Sequence, residues 1–371
     1  MTFLSSLLFF SIVLLAIFST VFGLEEVLAF QENRQETRPF GVYSALKYTV
    51  LDGFFRQSDD GTDDRTYDPL TDSFGLQYSG PRRWERFVEH ISFLNENAPV
   101  DVSYKVLYLA RHGQGHHNVA EHHFGNEAWE CYWAMKGNNG TYHWGPDARL
   151  TEKGISEVHR TRDAWKSQIP FGVPLPQIHF VSPLSRSLST LVETWKTIAL
   201  DPPRPLVNEL LRETLSLHYG DHRSPASELR ERYPEVYFPM DGSFPEEDPL
   251  WNYHRESLQG RNGRIKYAMD NMIAASNETY ISMTSHSGVI NSTLVALGHR
   301  PYNLQTAGMI PVVVKVERDR GGLQKWFQPN NPSLKNVDDS PRVEERVICD
   351  GYPPVNVSGL YESGMGVWPW S

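Results

Sequence analysis

The chain has 371 residues, a formal net charge of −10 and a hydrophobic content of 40%, with 12% aromatics. That is enough apolar material for one large packed domain or two modest ones. The acidic balance argues against a nucleic-acid partner, since nucleic-acid-binding domains are usually basic, but local arginines on an acidic surface leave small anionic substrates open.

Residues 1–24 carry no charged side chain, Leu7 to Phe22 is almost wholly apolar, and small residues at Ser19–Gly23 precede Glu25-Glu26. Residues 1–23 read as a secretory signal peptide, with an uncleaved signal anchor as the alternative. Residues 24–371 are then expected to be secreted or to sit in the secretory-pathway lumen, and only the anchor form would hold the protein at a membrane. Four N-x-S/T sequons, at Asn139, Asn277, Asn291 and Asn356, suit that route. Cys131 and Cys349, the only cysteines, form either one disulfide or two free thiols.

Residues 24–60 scatter aromatics among polar residues, and residues 58–72, rich in Asp, Gly and Thr, form a loop. Trp84, Phe87, Val88, Ile91 and Leu94 recur at helical spacing. Val106 to Ala110 then form a buried strand that stops at Arg111-His112-Gly113. Ligands of open α/β sheets bind outside the carboxyl ends of the strands. A histidine there can be a nucleophile, and an arginine beside it can grip an anion through its planar fork. Gly113 would let backbone approach that anion. A surface Arg-His pair is the plainer alternative, and three residues alone do not decide.

Residues 118–133 are expected to begin as a helix. His116, His117, His122, His123 and Glu121 gather around its start, without the H-x-x-x-H spacing and internal acid of a zinc helix. No metal is expected; some of these histidines line the pocket and others are solvated. Residues 136–147 make a turn-rich excursion. Thr151 N-caps the next helix, with Ile155, Val158, Trp165 and Ile169 on one face.

Residues 177–181 form a second strand ending at Ser182-Pro183, and the helix after it carries Leu188, Leu191, Val192, Trp195 and Ile198 as its apolar stripe. Arg186, in the first turn, opposes the helix dipole. It is either solvated or compensated by an anion, such as a phosphate shared with Arg111. Residues 205–211 lead to Arg212-Glu213. Residues 214–262 lack sustained periodicity, are too long for a plain loop and read as an inserted cap. A helix over 263–275, a strand over 279–283 reaching Ser285-His286, a helix closed by Gly298 and a last strand over 310–316 follow. The tail from Arg318 reads as irregular. The chain is therefore expected to be an α/β three-layer sandwich: a mostly parallel central sheet, helices on both faces, and one domain over 24–371 with a cap near 214–262. At the shared sheet edge two histidines and two arginines would meet around one anion, with Glu213 able to join them.

With these residues in view, the sequence resembles the histidine phosphatase superfamily, the phosphoglycerate mutase-like fold. The R-H-G-x-x-x-x-N motif matches Arg111, His112, Gly113 and Asn118; L-T-x-x-G matches Leu150, Thr151 and Gly154. S-P-x-x-R matches Ser182, Pro183 and Arg186, and S-H-x-G matches Ser285, His286 and Gly288. The runs Y-L-A-R-H-G-Q-G-H-H-N-V-A-E, L-R-E-T with H-x-x-D-H-R after it, F-P-E-E-D-P-L-W and T-A-G-M-I-P-V resemble its fungal phosphomutase-like branch.

The resemblance implies a phosphomonoester hydrolase acting on a small phosphorylated substrate, with no cofactor. His112 would become a phosphohistidine, held against the phosphoryl oxygens by Arg111, Arg186 and His286. Asn118 would support the first loop or touch phosphate, and Glu213 would serve as general acid and then base. Ser287 stands where phytase-like members carry an Asp, which turns the acid role to Glu213. His218, Asp221 and Arg223 either bind substrate from the cap or make a salt-bridged turn. A phosphomutase is the alternative function, and a non-catalytic or redirected member of the fold is a further one, although the nucleophile, second histidine and acid are all kept. Substrate identity and oligomeric state are not legible in the sequence.

Overall fold

Val106 to Leu109 are each at most 2% exposed, as an unbroken apolar run must be when both faces of its strand are covered. The computed structural model describes residues 44–200, 204–251, 255–323, 346–347 and 355–356. The expected signal segment and Cys349 lie outside them. In chain order the elements are β1 (Ser44–Val50), α1 (Arg83–Glu96), β2 (Val102–Arg111), α2 (His116–Phe124), α3 (Asn126–Cys131), α4 (Glu152–Gln168), β3 (Ile178–Val181), α5 (Ser185–Trp195), β4 (Leu206–Val207), α6 (Ala226–Arg232), α7 (Leu258–Ala274), β5 (Tyr280–Ser285), α8 (Ser287–Leu297), β6 (Met309–Leu323), β7 (Arg346–Val347) and β8 (Val355–Asn356).

Six strands form one sheet in the order β1-β6-β2-β5-β3-β4. β2, β5, β3 and β4 are parallel, while β6 runs antiparallel to both β2 and β1. Because side chains alternate across a sheet, Val106 and Tyr108 face one core and Leu107 and Leu109 the other. On the first face α1, α4 and α5 contribute Trp84, Phe87, Trp165, Leu188 and Leu191. On the second, α7 and α8 contribute Ile265, Met269, Val289, Ile290 and Leu294. This is the three-layer α/β arrangement that the sequence led us to expect. Trp165 anchors the first core, its ring 4.5 Å from Phe74, 4.8 Å from Trp195 and 5.1 Å from Tyr108. Such ring pairs each add roughly 0.5–1.5 kcal/mol beyond their burial.

Several local expectations need correction. β1 falls in the stretch read only as scattered aromatics; Leu46 and Tyr48 alternate into the second core. The helix expected over 118–133 is two short helices, separated at Gly125 with its φ of 79°. The last strand does not stop at Val316, and β7 and β8 pair within the tail that was read as irregular. The segment read as a cap contains α6, and its Leu229, Tyr233, Val236, Phe238 and Phe244 join the first core. Cys131 is disulfide-bonded, which decides between the two thiol readings, and its partner is outside the described residues. Asn139, Asn277 and Asn291 are exposed, Asn291 on α8.

Candidate active site

The register of three parallel strands assembles the site. Arg111 pairs with Ser285 across β2 and β5, and Val181 pairs with Thr284 across β3 and β5. β5 was inserted between strands formed earlier in the chain, so the next residue of each strand, His112, His286 and Ser182, emerges side by side. This is the crevice expected where strand order reverses. The His112 and His286 ring centroids are 5.1 Å apart, and Ser182 Oγ lies 2.8 Å from His286 Nε2.

His112 is 2% exposed, and its Nδ1 lies 2.7 Å from the Gly113 carbonyl oxygen. A carbonyl only accepts, so Nδ1 carries the proton and Nε2 keeps its lone pair in the neutral ring. Burial, then the charges of Arg186 and Arg111, hold His112 well below the ordinary imidazole range; the bond to Gly113 offsets this only in part. Burial and Arg186 push His286 and His117 the same way. The structure thus favours an uncharged His112 ring, its Nε2 lone pair free, in the field of Arg186 and Arg111.

Arg111 donates from Nη1 to Leu304 O at 2.8 Å. Arg186, wholly buried in the first turn of α5, donates from Nη1 to Gly220 O at 3.0 Å and from Nη2 to Asp221 Oδ1 at 2.5 Å. Asp221, rather than solvent, thus partners the cation at the helix amino end. Arg111 Nε, Arg186 Nε, His117 Nδ1 and His286 Nδ1 are buried without a protein hydrogen-bond partner. Leaving a buried polar atom unpaired costs roughly 1–3 kcal/mol, and four of them about one histidine make a cradle suited to a multivalent oxyanion.

Glu213 arrives from β4 through a turn over Glu209–Leu211. Its Oε1 accepts from Thr214 N at 2.9 Å and its Oε2 from Gly288 N at 3.2 Å, next to His286. A side chain on Gly288 would lie 2.2 Å from Glu213 Oε1 and 2.5 Å from Arg261 Nη1, so it would push these two side-chain ends aside. Asn118 Oδ1 accepts from Gly115 N at 2.9 Å, which makes Asn118 a brace of the first loop. Gly113 has a packing role that the sequence did not disclose. A side chain on it would meet Gly154 O at 2.5 Å, and one on Gly154 would meet Gln114 O at 2.1 Å. The two glycines permit the loop after His112 to touch the first turn of α4, so helix packing requires a glycine at Gly113. Thr151 completes this contact as the cap of α4, accepting from Gly154 N.

Of the histidine group, His117 sits 5.4 Å from His112, ring to ring. His116 Nδ1 is 2.6 Å from Tyr142 Oη, and His122 and His123 are exposed. Among the described residues no group of three or more His, Cys, Asp or Glu is placed to hold a metal ion. His218 Nε2 lies 3.3 Å from Glu130 Oε2. Arg223 is structural: Nε pairs with Glu209 at 2.8 Å, and its Nη atoms donate to the Ser224, Pro245 and Glu247 carbonyls. Burial pushes the Asp248 carboxyl up, but Arg212 and backbone N–H donors outweigh it and hold it at about 2.

Sequence reasoning passed over Asp147 and Arg261. Asp147 accepts from Ser185 N at 2.8 Å and Ser185 Oγ at 2.6 Å, capping α5, and from Ser224 N at 3.2 Å. Its place in Gly145-Pro146-Asp147 marked a turn but not a cap for a distant helix. Arg261 donates to Thr214 Oγ1 at 2.6 Å and Ser292 Oγ at 3.1 Å; a lone arginine at a helix start gave no signal.

The family model described as "Histidine phosphatase superfamily (branch 1)" matches residues 107–326. A "Probable phosphoglycerate mutase" of Arthroderma benhamiae is 37% identical over 292 residues, 74% of this chain and 86% of that protein. "Phosphomutase-like protein 3" of Candida albicans is 34% identical over 278 residues, 74% of this chain and 82% of that protein. Among solved structures, a mycobacterial glucosyl-3-phosphoglycerate phosphatase complexed with VO3 aligns at 17% identity over 56% of this chain and 90% of that chain, with a TM-score of 0.34.

Proposed function

We propose that this chain, which belongs to the histidine phosphatase superfamily, hydrolyses small phosphomonoesters through a phosphohistidine on His112. The observation that carries this reading is the 2.7 Å contact between His112 Nδ1 and Gly113 O, which leaves Nε2 as a free nucleophile beside four unpartnered polar atoms. Nε2 attacks phosphorus while the P–O bond to the leaving alcohol breaks. Glu213, entering this step protonated, gives its proton to the departing oxygen. As a carboxylate it then takes a proton from water, whose oxygen attacks phosphorus as the P–N bond breaks. Arg111, Arg186 and His286 hold the equatorial oxygens, where charge spreads in the transition state. No step requires a metal.

The test is chelator-resistant phosphate release from para-nitrophenyl phosphate, with acid-labile phosphate trapped on His112. His112→Ala should abolish both, and Glu213→Gln should slow esters of poor leaving groups most. Full activity in His112→Ala would sink the mechanism. A phosphomutase is the second reading, supported by the names of the fungal relatives. It predicts return of the phosphoryl group to a second hydroxyl faster than its loss to water. Both readings are compatible with a secretory-pathway location, supported by the apolar residues 7–22 and the disulfide at Cys131. N-terminal sequencing and glycosidase treatment of protein from the native host test that location.

A further inference from the structure

The turn over Tyr219–Asp221 is built against Arg186, and the role inferred for it rests on the reading that Arg186 grips a phosphoryl group. Arg186 presents two edges. Its Nη edge is taken by Gly220 O and Asp221 Oδ1, while Nε is buried without a protein partner. The turn that supplies these acceptors is held in turn: Ala148 N donates to Gly220 O at 3.0 Å, and Arg212 Nη2 donates to Asp221 O at 2.6 Å. Arg212 is itself locked to both oxygens of the buried Asp248. Gly220 packs so closely that an added side chain would meet Trp144 O at 3.0 Å and His117 Cβ at 3.4 Å. The backbone carrying Asp221 therefore has little room to retreat when an anion arrives.

We propose that Asp221 is a positioning counter-ion for Arg186. It fixes the Nη edge of the guanidinium, turns Nε to the phosphoryl group, and keeps the grip on phosphate loose enough for product to leave. The guanidinium is planar and rigid, so anchoring one edge aims the other. The carboxylate also repels the phosphoryl group across the width of that fork. A unit charge on the far side of the fork, at an effective dielectric of about 20, alters affinity on the order of tenfold or more.

The test compares wild type, Asp221→Asn and Asp221→Ala as full-length proteins. Orthophosphate binding is measured by calorimetry, and orthophosphate and vanadate inhibition by para-nitrophenyl phosphate turnover. Asparagine keeps an acceptor for Nη2 and deletes the charge, so Asp221→Asn should bind orthophosphate about tenfold tighter. A merely structural carboxylate would give equal or weaker binding, and that result in a variant of wild-type Tm overturns the proposal. Alanine removes the anchor with the charge and should gain less; an equal gain would overturn the positioning role. If Asp221→Asn fails to fold, Asp221→Ala alone tests the charge: it should still bind orthophosphate tighter than wild type, and equal or weaker binding overturns the proposal. Failure of wild type to bind either anion would instead overturn the phosphoryl reading of the site, and this inference with it.

Discussion

Replacing Gly154 by alanine should damage both the fold and the chemistry, against the usual direction for a helical glycine. Within a helix, alanine is favoured over glycine by up to about 1 kcal/mol. At Gly154 the new methyl would sit 2.1 Å from Gln114 O and 2.8 Å from Gln114 N, where ordinary contact begins near 3.4 Å. Gln114 must therefore move by about 1.3 Å, yet it is held on both sides: its N donates to Glu157 Oε2 at 2.9 Å and its O accepts from Thr151 N at 2.9 Å. Overpacking of this kind costs roughly 1–3 kcal/mol, which outweighs the propensity gain. Gln114 is two residues from His112, and a displacement of about 1 Å at a reacting group costs on the order of 100-fold in rate. Gly263 in α7 is the internal control, because an added methyl there meets nothing within 4 Å. Gly263→Ala should stabilise by up to about 1 kcal/mol with turnover unchanged. Denaturant unfolding and aryl phosphate turnover on both variants decide the matter. If Gly154→Ala is as stable and active as wild type, the reasoning from close approach is refuted.

Arg223→Met should destabilise by roughly 3–5 kcal/mol in denaturant unfolding, because it leaves Glu209 buried without that partner; a loss near zero would contradict the structural role. Asn118→Ala removes the acceptor for Gly115 N and should cost about 1 kcal/mol, lowering kcat with little change in orthophosphate inhibition. A large rise in the inhibition constant would instead place Asn118 on the phosphate. Burial pushes His179 down to about 4 from an ordinary 6.5. Above pH 6.5 it is neutral in both states and has no effect; as pH falls from 6.5 to 4 the unfolded chain takes a proton that the folded chain refuses. Stability should fall across that window by about 3 kcal/mol. His179→Phe should flatten that part of the stability–pH curve, and an unchanged slope would count against burial as the cause.

What the sequence discloses depends on whether a signal is local. β2, β3 and β5 were legible because each is an apolar run cut off by polar residues. Their shared edge follows from parallel pairing, so Arg111, His112, Ser182 and His286 could be brought together on paper. β1 was not, since S-A-L-K-Y-T-V alternates too briefly to stand alone and gains its identity from pairing with β6. The direction of β6 was equally silent, because an antiparallel strand can be reached from a helix as readily as a parallel one. The four histidines after His112 show the limit at the scale of one helix. Their letters are the same, but the frame set by the start of α2 sends His117 to His112, His116 to Tyr142, and His122 and His123 to solvent. Charge pairs are harder still. Arg186 demanded an anion by its helix position, yet the carboxylate that answers it lies 35 residues on, in a segment with no periodicity. Which acid reaches it is decided by the chain path through that segment, fixed by Arg212, Asp248 and the close packing of Gly220. An anion requirement can therefore be read from one helix, but which group meets it is a property of the fold, and at Arg186 the Nη edge is met by Gly220 O and Asp221.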